Sequence, residues 1–163
     1  MTVLEDDEKW FAVSLRLWGD DLPLDEIESL LMLAPTRIGR AGEFVPTKIR
    51  PGVNPGRVAR FRTNLWLWTS PSPSIVPFEQ QITSLLGMLE PRRAALEHIL
   101  SIPGTSGELF LGFSSGNGQG GARFSSVLLS RVGSLGLSIL LDLYPPLADD
   151  ISLDDVGSNA GPG

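Results

Sequence analysis

From Trp10 to Trp18 the chain alternates: Phe11, Val13, Leu15 and Leu17 fall on one face of an extended segment, and Trp10, Ala12, Ser14, Arg16 and Trp18 on the other. That period of two predicts a strand. Beyond Gly19, Ile27 is followed by Leu30, Leu31 and Ala34 at offsets of three, four and seven. The spacing predicts a short helix over residues 24–33, with Asp25 and Glu26 favourably placed at its positive N-terminal end. Pro35 stops it, residues 36–41 predict a short strand, and Gly, Pro and Arg fill a long loop over residues 42–60.

Strand character returns over residues 61–69, where Leu65 and Leu67 alternate with Trp66 and Trp68, so that both faces are apolar, as in a central strand. Phe78, Ile82, Leu85, Leu86 and Leu89 then mark a helical stripe that Leu96, Ile99 and Leu100 continue. Pro91 interrupts it, which predicts a kink or a fresh start. Residues 108–114 form the next predicted strand, followed by a Gly-rich run. Ser125 is placed to cap a helix carrying Leu128, Val132 and Leu135, and Gly136 to end it. Leu137, Ile139, Leu141 and Leu143 predict the inward face of a last strand.

The order strand, helix, strand, strand, helix, strand is that of a ferredoxin-like split unit, here extended by a helix and a strand. The expected architecture is a two-layer α+β sandwich: a mixed or mainly antiparallel sheet of about five strands with about three helices on one face. Residues 1–148 read as one domain and residues 149–163 as an acidic, mobile tail without periodicity.

Composition narrows the chemistry. The 163 residues include no cysteine and a single histidine, His98, which removes thiol nucleophiles, redox pairs and Cys-based zinc sites. A reducing cytoplasm suits such a chain, and no secretory leader or apolar run of spanning length is expected. The formal charge of -6 disfavours nucleic acid as the partner of the whole surface.

Several short motifs in order look familiar: Leu15-Arg16-Leu17-Trp18-Gly19-Asp20-Asp21-Leu22, Ala34-Pro35-Thr36-Arg37, Leu65-Trp66, Leu89-Glu90-Pro91-Arg92 and the closing stretch from Leu137 to Tyr144. Together they resemble the bacterial domain of unknown function 4279, over roughly residues 11–144. Relatives often carry Asp-Pro ahead of the first helix, where this chain has Pro23-Leu24. The resemblance implies a small intracellular α+β domain. It supplies no catalytic residues, and some relatives sit in settings that point to toxin immunity or other protein partnership.

Four groups of residues stand out as candidate sites. Gly116-Asn117-Gly118-Gln119-Gly120-Gly121 matches the dinucleotide fingerprint through Gly116, Gly118 and Gly121, with Asp142 in the position of the ribose-binding acid. Against it, the helix is expected only at Ser125, and no further parallel strands follow to build a crevice; a flexible loop is the plainer reading. Arg37, Arg40, Lys48, Arg50, Arg57, Arg60 and Arg62 form a basic stretch broken only by Glu43. Arg60 and Arg62 would share a strand face with Trp66 and Trp68, a surface for anions, bases or a protein partner to which Arg57 adds charge. The plainer readings are ion pairing with nearby acids and core packing of the indoles. Asp20, Asp21, Asp25 and Glu26 could ligate a hard cation, act as an acid and base, or face a basic partner, although a helix N-terminus alone explains them. His98 lacks a nucleophile motif to serve.

These readings favour a non-catalytic interaction module without cofactor or metal, an immunity-type or regulatory protein whose partner is another protein. The alternative is a small-ligand or nucleotide binder using residues 116–121 or 37–62.

Overall fold

A computed structural model describes residues 8–46 and 59–144. Strand β1 (Lys9–Gly19) is followed by helix α1 (Ile27–Leu31), strands β2 (Arg37–Gly39) and β3 (Asn64–Thr69), and helices α2 (Phe78–Leu89) and α3 (Arg93–Ser101). Strand β4 (Ser106–Ser115), helix α4 (Ser126–Ser134) and strand β5 (Ser138–Tyr144) complete the order. The five strands form one sheet in the order β2-β3-β1-β4-β5. β1 lies antiparallel to both β3 and β4, and β3 antiparallel to β2, whereas β5 runs parallel to β4. The first four strands are therefore the split unit, and the β4-α4-β5 crossover adds the only parallel pair among the described strands.

The odd-numbered positions of β1 build the core. Val13, Leu15 and Leu17 are fully buried and meet Ile82, Leu85, Leu86, Leu89, Leu96 and Ile99 of the helices. Because Leu15 stands opposite Trp68 and Leu17 opposite Trp66, both indoles of β3 face the same layer, where Trp66 is 0% and Trp68 8% exposed. β3 lies inside the sheet, between β2 and β1, while the central position expected for it belongs to β1. Buried Gln81 fastens the layers, its amide donating to the carbonyls of Phe11 (3.2 Å) and Val76 (2.7 Å). A buried amide that finds two acceptors avoids the desolvation penalty that would otherwise count against it.

Element boundaries differ from expectation where backbone geometry intervenes. The first helix is only five residues long, because the Glu26 N–H turns back to the Pro23 carbonyl and Met32 takes a left-handed conformation at φ 56. Leu22, Leu24 and Leu33 remain buried outside it. β3 begins at Asn64 since residues 42–45 pair with 59–61 in a separate ladder, Gly42 donating to Phe61 and Val45 to Ala59. Most of the long loop, with Lys48, Arg50 and Arg57, lies outside the described residues, as does the tail. Pro91 sits in a 3-10 turn, Glu90–Arg92, that separates α2 from α3.

The inward face expected for the last strand is half covered. Leu137 is buried and Ile139 packs on the core, but Leu141 and Leu143 are 48% and 64% exposed. β5 is an edge strand, and the helical layer does not reach its far half.

Helix α4 is capped as its sequence requires. The Ser125 hydroxyl accepts from the Leu128 N–H at 3.2 Å, and Gly136 takes φ 74 just past the helix end. Arg131 forks onto Glu90 at 2.7 and 3.0 Å. That hydrogen bond holds the Glu90 carboxyl below its ordinary range and raises the guanidinium of Arg131. Ser125→Ala is expected to cost about 1 kcal/mol of stability, measured as a lower denaturation midpoint with unchanged slope.

Candidate functional site

The even-numbered residues of β1 point away from the helices. The register sets Arg16 between Leu67 of β3 and Glu108 of β4, with Arg37 of β2 beyond Leu67 and Ser138 of β5 beyond Glu108. Parallel rows bring Trp18, Leu65, Phe110, Leu140, Trp10, Ser114 and Tyr144 onto the same helix-free face. Among the described residues, no helix packs on it.

Three ring-built clusters lie across this face. At the centre Arg16 pairs with Glu108, and its guanidinium carbon sits 4.8 Å from the Phe110 ring centre and 5.6 Å from that of Trp18. The Glu108 side chain is 9% exposed and that of Arg16 32%, so the charge pair is sunk among flat apolar groups that raise its mutual attraction. Toward β5, Trp10 and Tyr144 meet edge to face at 5.8 Å. They close over Gly112, where an added Cβ would stand 2.9 Å from the Trp10 ring. The carboxylate of Asp142, on the same face of β5, raises the pKa of the Tyr144 hydroxyl. Toward β2, the Phe61 ring lies over Gly39, 2.5 Å from where a Cβ would be. Arg37 reaches to 5.4 Å from the same ring, and its Nη2 is buried without a hydrogen-bond partner among the described residues. Two glycines thus let rings lie flat on the strands.

The residues singled out from the sequence are dispersed. Trp66 and Trp68 are in the helix-side core, so they offer no surface beside Arg60 and Arg62, which are exposed near the outer ladder. Arg60 instead covers Phe44 at 3.9 Å and donates to the Gly42 carbonyl. Asp25 pairs with Arg40 at 2.7 Å; Asp20, Asp21 and Glu26 are exposed. No group of three acidic or histidine side chains among the described residues is arranged to hold a metal ion. His98 is exposed on α3.

The Gly-rich stretch and Asp142 are not brought together. Gly118 and Gly120 take φ 71 and 137, the Asn117 side chain accepts from the Gln119 N–H at 2.9 Å, and four residues separate Gly121 from the start of α4. Asp142 stands beside Gly112 on the open face, whereas α4 packs on the other side of the sheet through Leu128 and Val132. A dinucleotide at the helix N-terminus would be out of reach of that carboxylate.

Neither the Arg16–Glu108 pair nor the aromatic face emerged from motif reading. The available signal was a charged side chain next to the long apolar run of each of two strands, Arg16 in β1 and Glu108 in β4, since such a charge needs a partner or water.

Among the described residues, no helix is long and apolar enough to cross a membrane. No curated protein and no solved structure matches the chain. Residues 8–146 match the family described as Domain of unknown function (DUF4279). The match spans every strand and helix described above, and the chain belongs to that family.

Proposed function

We propose that this domain is an interaction module that binds another protein on the helix-free face of its sheet. The observation that carries this reading is the concentration there of Trp10, Trp18, Phe110, Tyr144, Arg16 and Arg37. Trp, Tyr and Arg are the side chains that dominate binding energy at protein interfaces, because they bury large areas while keeping a directional polar group. The partner surface that fits is apolar and carries an acidic group to complement the half-buried guanidinium of Arg37. Glu108 and Asp142 on the same face, in a chain of charge -6, oppose a phosphate backbone there. Exposed Asp20, Asp21 and Glu26, beyond the end of β1, add long-range attraction for a basic partner. A regulatory or immunity-type role needs only occupancy of the partner by such a surface, and the cysteine-free composition suits the cytoplasm.

A photoreactive amino acid replacing Leu67, on the open face, should give a discrete protein adduct in the native cells. The same probe replacing Met88, exposed on α2, should not, and Arg37→Ala should weaken the Leu67 adduct several-fold. Equal labelling from both positions, or an adduct removed by nuclease, would overturn this reading.

A further inference from the structure

Of the eleven large apolar side chains exposed among the described residues, six lie on α4 and β5: Val127, Leu129, Leu140, Leu141, Leu143 and Tyr144. β5 pairs with β4 along one side, and its other side has no strand partner among the described residues. A seven-residue edge whose outward backbone donors and acceptors meet no strand among the described residues, with such apolar flanks, is a pairing surface. The usual safeguards are missing from it: it carries no Lys, no Pro and no bulge. Its one charge, Asp142, lies on the open face, away from the helix-side leucines.

We propose that the occupant of this edge is a second copy of the chain, with β5 pairing antiparallel to its own counterpart about a two-fold axis at Leu141. The edge is complementary to itself in this register. Leu141 meets Leu141 of the other copy, and Ile139 meets Leu143 twice, so the helix-side face gains a continuous apolar row across the junction. That row covers the two leucines that the helical layer leaves exposed. On the open face Ser138 stands opposite Tyr144, and Leu140 opposite Asp142. Centring on Asp142 instead would set two carboxylates directly opposite each other, which is unfavourable. Leu129 extends the apolar surface from α4: it lies on the flank of that helix away from Arg131, which faces Glu90. The two sheets then form one continuous sheet, with all helices on one side and both open faces on the other. This isologous contact uses the strand edge and the helix-side row, and shares only Tyr144 with the partner surface proposed above.

The chain contains no cysteine, so a single introduced thiol reports the register. Sedimentation of the full chain should show a dimer at tens of micromolar, and added salt should tighten it by screening the like net charges. Leu141→Lys should shift the dissociation constant at least tenfold toward monomer, with unchanged circular dichroism. A short bismaleimide should cross-link Leu141→Cys into a covalent dimer but leave Leu143→Cys uncoupled, because position 143 lies four residues along the strand from its own copy. A monomer at every concentration overturns the proposal, whether another protein or another part of the chain takes the edge. A dimer that survives Leu141→Lys, or one that couples through position 143 instead, also overturns it.

Discussion

Replacing Trp66 with alanine is expected to lower stability by about 3–5 kcal/mol, the cost of emptying a large buried aromatic site. The indole is wholly buried, pinned between Leu17 on one neighbouring strand and Ile38 on the other. Trp66→Phe should cost less than half as much. The indole N–H is buried without a hydrogen-bond partner among the described residues, so removing it relieves a desolvation penalty that offsets part of the lost volume. Denaturant titration checks both, and the slope should stay constant if only the native state changes. A small loss for Trp66→Ala would mean that the ring stands at a surface, and would restore the arginine and indole face that the sequence allowed.

That face illustrates what alternation along one segment leaves open. Residues 61–69 are apolar on both sides, so periodicity alone does not tell which of Trp66 and Leu67 meets the helices. The answer comes from β1, whose odd positions match the helical stripes and whose register carries Trp66 with them. Local signals were otherwise sufficient. Pro91 breaks the long helix, Ser125 caps the last one, and Gly136 ends it, because each acts through bonds within a few residues of itself.

Long-range placement was less legible. Strand order depends on pairings far apart in the chain; Arg16 and Glu108 are 92 residues apart and adjacent in space. The match of residues 116–121 to a nucleotide fingerprint carries no information on the face to which Asp142 points, and the structure puts it on the side opposite α4. The inward reading of Leu141 and Leu143 assumed a helical layer as wide as the sheet. Alternation reports which way a side chain points, and coverage depends on what lies above it.

The Arg16–Glu108 pair offers the sharper test of how the open face is held. Arg16→Met is expected to cost about 2–3 kcal/mol, somewhat below the 3–5 kcal/mol of a fully buried pair, since the arginine side chain keeps 32% exposure and some solvent screening. The loss arises chiefly from the carboxylate left unpaired: the Glu108 side chain is 9% exposed, with Arg16 as its cross-strand partner on β1 and Phe110 next to it on the same face of β4, and has little water to turn to. Adding Glu108→Leu to that variant removes the orphaned charge and should recover stability to within about 1 kcal/mol of the parent, as hydrophobic replacement of whole buried pairs does. The cycle of two single variants and the double variant therefore predicts strong non-additivity. Losses that simply add would show the two groups to be independent and water-screened. The same double variant separates structure from recognition. If it is stable and still yields the Leu67 adduct, the pair serves packing. If it is stable and the adduct is lost, the charge pair is read by the partner, which would explain why a sheet face able to be wholly apolar keeps a charge pair at its centre.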